Sequence, residues 1–223
     1  MSDLKLMKNH VEVLFQQNKQ NQLTVINEPP FDDAPLLFIG LTKEGSVQRY
    51  SYKVDDLLKK RLQNIVMYQR DELVVSLINQ LSNRLGFREF VMGPTYVFPK
   101  LNFSNEEVVL MTEENKELLK DDHRFTYIDF KMKQPCVVII KNDKIISLCC
   151  SARQNNEAAE ASVYTAEQYR GKGYGTTVTK AWAYHVQQAG KIALYSTTWD
   201  NLASQGVART LGLHQYGVGL TMD

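Results

Sequence analysis

Between Gln168 and Trp182 the chain reads QYRGKGYGTTVTKAW, in which three glycines and two cations fall within Arg170–Gly175, between a strand-like run and a helix-like one. Upstream, EAAEASVYT alternates as a strand does; downstream, Val178, Ala181, Trp182, Val186 and Ala189 recur at helical spacing until Gly190, after which KIALYST is apolar and strand-like. Strand, glycine loop, helix, strand is the order. A helix N-terminus has unpaired backbone N–H groups and a partial positive charge, and glycines let that backbone approach an anion closely. Phosphate is the natural guest. The Walker loop GxxxxGK[ST] is absent, and the dinucleotide fingerprint needs a third glycine where Thr176 stands. What remains is Arg170-x-x-Gly173-x-Gly175 with an additional Gly171. The competing reading is a tight turn with solvated cations, but so many glycines weaken a turn that has no other use.

The rest of the chain divides into two parts. Leu4, Met7, Val11, Leu14 and Phe15 fall on one helical face, and LLFIGLTKEGSVQRYSY reads as a hairpin turning near Gly45. Helical spacing follows twice, in Leu57, Leu58, Arg61, Leu62, Ile65 and Val66, then in Leu73, Val74, Leu77, Ile78, Leu81 and Leu85 before Gly86. Two prolines in GPTYVFPKL place a boundary near residue 100, so residues 1–100 are expected as one region and 101–223 as another. Beyond it, VVLMT predicts a strand, TEENKELLKDD a short helix capped by Thr112, and PCVVIIKNDKIISLCCSAR a hairpin turning at Asn142-Asp143. Asp200 or Asn201 can cap a helix ending at Leu211-Gly212, and LHQYGVGL can close the sheet.

Composition limits the partners. At 223 residues, with 43% hydrophobic and 23% charged residues, the chain can bury one large core or two small ones. A net charge of +1 gives no global field for nucleic acid or an acidic membrane surface, and neither is an expected partner. MSDLKLMKNH has no basic region leading into an apolar run, and no apolar stretch approaches the roughly 18 residues of a membrane span. A cytoplasmic protein is expected. Cys136, Cys149 and Cys150 are odd in number and without a CxxC pair, and His10, His123, His185 and His214 are scattered. Reduced buried thiols, structural or exposed histidines and no metal follow.

The glycine loop resembles motif A of the GNAT superfamily of acyl-CoA N-acyltransferases, [RQ]-x-x-G-x-[GA]. STTWDNLASQGVARTLGL is similar to the strand and helix that follow it in that family, including an Asn with a small residue three positions on. The resemblance covers residues 108 to 223, and its wording is similar to a bacterial branch of these acetyltransferases. It implies an α+β fold with a mixed, mainly antiparallel sheet flanked by helices, here with an N-terminal α/β extension. It also implies acetyl-CoA as co-substrate. Val163 and Thr165 would offer backbone groups to the pantetheine arm. Arg170, Gly171, Lys172, Gly173, Tyr174, Gly175 and Thr176 would surround the pyrophosphate, and Asn201 and Ser204 would touch the coenzyme from the last helix.

The chemistry the resemblance implies is direct attack of a neutral amine on the thioester in a ternary complex. Glu160 and Glu157 are the candidate bases, Glu160 preferred, and a solvated strand edge is the plain alternative for each because sequence does not set the register. The tyrosine that commonly serves as general acid would fall at Ala208. Tyr195, Ser196 or Tyr216 is available to substitute, as is solvent, since a thiol with a pKa near 8.5 leaves tolerably unaided. Cys149 and Cys150 face opposite ways along a strand, so one at most could reach a cleft. The acceptor amine, on a small molecule or a protein, is not legible. Residues 1–100 are expected to form the acceptor side or a homodimer interface. The alternative function is a non-catalytic acyl-CoA sensor or scaffold.

Overall fold

The computed structural model describes residues 1–67, 89–104 and 107–223, together with Asn79 and Asn83. Ser2 accepts the Lys5 N–H and starts α1, which covers Asp3–Leu14 before Phe15 turns extended. Phe15–Gln17 (β1) and Leu23–Ile26 (β2) form a small ribbon apart from the main sheet. Leu37–Thr42 (β3) and Gly45–Tyr50 (β4) make the hairpin expected at Gly45, and α2 spans Asp56–Met67. The helix expected over Leu73–Leu85 lies outside the described residues.

Phe90–Val97 (β5) precedes Val108–Leu110 (β6), and Arg124–Ile128 (α3) precedes the hairpin of Cys136–Lys141 (β7) and Lys144–Gln154 (β8). That hairpin turns at Asn142 and Asp143, both at positive φ (50° and 59°), the geometry that suits the right-handed strand twist. Ala158–Thr165 (β9), Tyr174–Gln188 (α4), Ile192–Ser196 (β10), Leu202–Thr210 (α5) and His214–Met222 (β11) complete the order. One expectation fails locally. Residues 112–122 form turns and a short 3-10 stretch rather than a helix capped by Thr112, because the Asn115 side chain takes the Thr112 N–H and donates to the Leu110 carbonyl.

Nine strands join in one sheet, in the order β4-β3-β11-β5-β10-β9-β8-β7-β6. Every pair is antiparallel except β9 with β10. The α+β, mainly antiparallel reading therefore holds. β5 lies between β10 and β11, so residues on both sides of position 100 build the same sheet. One face is covered by α4 and α5, with Val178, Ala181, Trp182 and Val186 packed among Val137, Ile139, Cys149, Ala159 and Tyr195. The other is covered by α1, with Met7, Val11 and Leu14 against Phe38, Ala158, Leu194 and Tyr216. Cys149 and Cys150 fall in different clusters, free and buried, as the strand alternation requires.

Two glycines on the sheet make room for Met7 of α1. A Cβ at Gly40 would lie 2.3 Å from Met7 Sδ, and one at Gly217 would lie 2.7 Å from Met7 Cε and 2.4 Å from the Leu41 carbonyl oxygen. His10, one helical turn beyond Met7, is thereby brought down onto β9 and β11. No helix among the described residues is long and apolar enough to cross a membrane.

Candidate active site

β9 and β10 run side by side only briefly. Ile192, Ala193 and Leu194 pair with Ala158, Ala159 and Glu160, after which β10 continues against β5 and β9 continues against β8. The two strands part at Glu160, leaving the β10-facing backbone edge of Ala161–Thr165 open. An opened edge in the middle of a sheet is a place for an extended ligand to pair as a strand would.

The glycine loop begins where that edge ends. Gly171 and Gly173 hold φ of +74° and +87°, where a side chain is strained, and Gly173 starts α4 without a side-chain cap. Thr177 N–H closes the first helical bond, to the Gly173 carbonyl, so the N–H groups of Tyr174, Gly175 and Thr176 remain at the helix mouth. α5 begins across from them: Asn201 accepts the Ser204 N–H and caps it, deciding between Asp200 and Asn201. These parts surround one cleft of about 680 Å³. Val163, Thr165, Arg170, Gly171, Gly173, Tyr174, Gly175, Thr176, Asn201 and Ser204 all line it. Lys172 stands apart, its Nζ 5.4 Å from the centroid of the Tyr169 ring. Arg170 turns inward at its Nε, which donates to the Thr165 carbonyl at 3.1 Å.

On the other side of the parting strands lies a buried polar cluster. Glu160 is 4% exposed, and its Oε1 faces His10 Nε2 at 3.1 Å and accepts the Ser196 hydroxyl. Arg153 Nη1 stands 3.5 Å from Oε2 and its Nη2 pairs with Glu28 at 3.2 Å. His10 Nδ1 meets the Tyr216 hydroxyl at 2.8 Å. Burial alone would push the Glu160 carboxyl up; the His10 hydrogen bond, the charge His10 carries when protonated, Arg153 and Ser196 outweigh it and hold the group at about 2. Burial, followed by the Glu160 charge, pushes the Tyr216 hydroxyl well above the ordinary tyrosine range.

Local irregularities aim these side chains. A bulge at Tyr216, between the pairs Gln215–Tyr96 and Gly217–Thr95, turns its ring toward α1. Another, between Ser151 and Arg153 on β8, sets Arg153 opposite Glu160. Beside the cluster opens a second pocket of about 400 Å³. His10, Arg153, Ser196 and Thr95 form its polar floor, and Phe15, Ile26 and Phe38 are among its apolar walls.

Glu160 and Tyr216 are thus joined through His10; Glu157 is exposed at the entry to β9, where Asn9 Nδ2 donates to it at 3.3 Å, and none of Glu160, Tyr216 and Glu157 lines either cavity. Ala208, at the expected tyrosine position, is buried in the core with Tyr195. Burial pushes Tyr195 up to about 12. His10 and Arg153 were missed. A signal for His10 existed: it is a polar residue three positions after Met7, within an otherwise apolar helical stripe. Arg153 had none, because only the β8–β9 register brings it to Glu160.

A protein-family model described as GNAT acetyltransferase matches residues 95–217, more than half of the chain, and the chain belongs to this family. Proteins of this family use acyl-CoA. Among solved structures, a GNAT-family acetyltransferase from Colwellia psychrerythraea is 13% identical, with TM-score 0.51, over 84% of this chain and 81% of that one. A GCN5-related N-acetyltransferase-like protein from Streptococcus suis is 14% identical, with TM-score 0.50, over 85% of each chain. A GNAT-family protein from Novosphingobium aromaticivorans is 13% identical, with TM-score 0.51, over 61% of this chain; the match spans 65% of that protein, under two thirds of its length. At such identities the likeness is one of fold. No curated protein sequence matches the chain.

Proposed function

We propose that the protein is an N-acetyltransferase that moves an acetyl group from acetyl-CoA to a primary amine by direct attack in a ternary complex. The observation that carries this reading is the placement of two cavities about one splayed strand. The glycine loop, the open β9 edge and the start of α5 face the larger one, and Glu160 stands three residues before Val163 with partners that line the smaller one. In this reading pyrophosphate lies at the α4 mouth, where oriented N–H groups and the helix dipole favour an anion. Pantetheine lies along Ala161–Thr165, and an N–H of that edge polarises the thioester carbonyl.

Residues 1–100 then form the acceptor side, since α1, β1, β2, β3 and β5, together with Asp33 and Pro35, supply most of the second pocket's wall. Its volume suits a small amine. Of its charged residues Arg153 pairs with Glu28 and Glu160, Asp33 pairs with Lys53 and Asp223 accepts the Leu36 N–H, while Leu14, Phe15, Ile26, Pro35 and Phe38 are apolar. The acceptor class that fits is a primary amine on an aryl or branched alkyl body.

Coenzyme A release, measured against a panel of such amines with polyamines and peptides as contrasts, tests the reading. Turnover should be fastest with the apolar-bodied amines. Ala208 favours a second reading, acyl-CoA binding without turnover, because the core occupies the place of the family's usual acid. Calorimetric binding of acetyl-CoA with no release for any amine would support that one, and no binding at all would remove both.

A further inference from the structure

We infer that His10 of α1 receives the proton lost by the acceptor amine, through the Tyr216 hydroxyl, and that Glu160 serves as the fixed anion behind it. The inference rests on the N-acetyltransferase reading above and assigns its proton path. An ionised carboxylate only accepts, so the 3.1 Å contact between Glu160 Oε1 and His10 Nε2 requires the hydrogen on Nε2. Nδ1 of a neutral imidazole is then an acceptor, and at 2.8 Å it takes the Tyr216 O–H. The order of donation is fixed from end to end: Tyr216 to His10, His10 to Glu160.

Glu160 is badly placed to accept a proton itself. Three donors converge on it, His10, Ser196 and Arg153. What a buried anion in this position does well is orient an imidazole and stabilise its cation, the role of the acid in a Ser-His-Asp triad. His10 is 1% exposed and borders the acceptor pocket, and the Tyr216 hydroxyl lies beside Thr95, which lines the same pocket.

The amine nitrogen forms the new bond to the acetyl carbon, and the carbon–sulfur bond breaks to release thiolate. The nitrogen's proton passes to Tyr216 Oη as the tyrosine's own proton passes to His10 Nδ1. An imidazolium–carboxylate pair is left, and the same path or solvent returns a proton to the thiolate. Other charges on elements packed against α1 are engaged elsewhere. Glu157 at the β9 entry takes Asn9, Arg49 on β4 donates to Gln17, His214 on β11 pairs with Asp3, and Arg153 on β8 is shared by Glu28 and Glu160.

The test uses the full chain with the best amine from the panel. His10→Gln and Tyr216→Phe should each lower kcat by about 10²-fold or more while leaving the Kd for acetyl-CoA within a factor of about two. In wild type, kcat/KM should fall on the acid side, and in His10→Gln that fall should vanish. Nitrogen NMR of the His10 ring gives a readout independent of turnover: the Nε2–H form is expected, and Glu160→Gln should shift it. An unchanged pH profile in His10→Gln, or an Nδ1–H ring in wild type, overturns the relay. Wild type without turnover would instead strike the acetyltransferase reading, so the two failures are distinguishable.

Discussion

The two cavities differ in how far apart along the chain their walls were made. The larger cleft is built from residues 163 to 210, a single stretch in which strand, loop and helices follow one another. The smaller pocket draws on residues as distant as His10 and Thr221 and on strands that meet only through the sheet order. Local construction leaves a written pattern, since glycines at positive φ, an Asn cap and strand alternation are all constraints on neighbours. Long-range construction leaves none, since its members are ordinary residues until the register aligns them.

The largest expected effect sharpens the contrast on the pocket side. Glu160 in the folded protein is held at about 2, below its ordinary 4.5, by partners on three other segments, His10 and Ser196 the distant ones. A carboxyl depressed by folding stabilises fully above its unfolded value, and that stability is lost as pH falls through the folded one. Glu160→Gln lacks this term. The stability gap between wild type and Glu160→Gln, followed by denaturant titration at several pH values, should therefore shrink by roughly 3 kcal/mol between about pH 5 and pH 2. A gap independent of pH would mean that the cluster does not hold the carboxylate in solution.

Next in size is the loop. Gly173 stands at φ +87° with nothing within 4 Å of where a Cβ would be, so a side chain there strains the backbone and projects at the helix mouth. Gly173→Val should weaken acetyl-CoA binding ten- to a hundredfold, about 1.4 to 2.7 kcal/mol, by titration calorimetry. The Glu160 pH dependence should survive in the same variant. Unchanged affinity in a folded Gly173→Val protein would detach the loop from the site.

How much was legible follows the same division. The glycine loop, α4 with its stripe of Val178, Ala181, Trp182 and Val186, the Asn142-Asp143 hairpin and the closing β11 could all be read, because each depends on neighbours or on a single period. The sheet order could not. Nothing near residues 90–97 says that they lie between β10 and β11, and Gly93, whose absent Cβ would stand 1.8 Å from the Thr197 carbonyl oxygen, looks like any strand glycine until that packing is seen. Glu160 was a candidate by its place before the loop, but its chemistry is set by His10, 150 residues away. Tyr216 was one of three tyrosine and serine candidates, and only the β11 bulge turns it to His10.

The smallest effect separates fold from ligand at a residue that serves both. Asn201 Oδ1 accepts the Ser204 N–H at 3.0 Å and starts α5, and the same residue lines the larger cleft. Asn201→Ala removes the cap and should cost about 1 kcal/mol of stability. Asn201→Asp keeps an equally good capping oxygen and adds favourable charge at a helix N-terminus, so stability should hold or rise slightly. It also loses the amide N–H donors and sets a carboxylate beside the cleft proposed to hold the coenzyme phosphates. Acetyl-CoA affinity should then fall in Asn201→Asp severalfold, although its melting temperature does not. Thermal unfolding and calorimetric titration of both variants decide the point. If Asn201→Asp binds as wild type does, Asn201 is a cap alone, and the coenzyme is held without help from the start of α5.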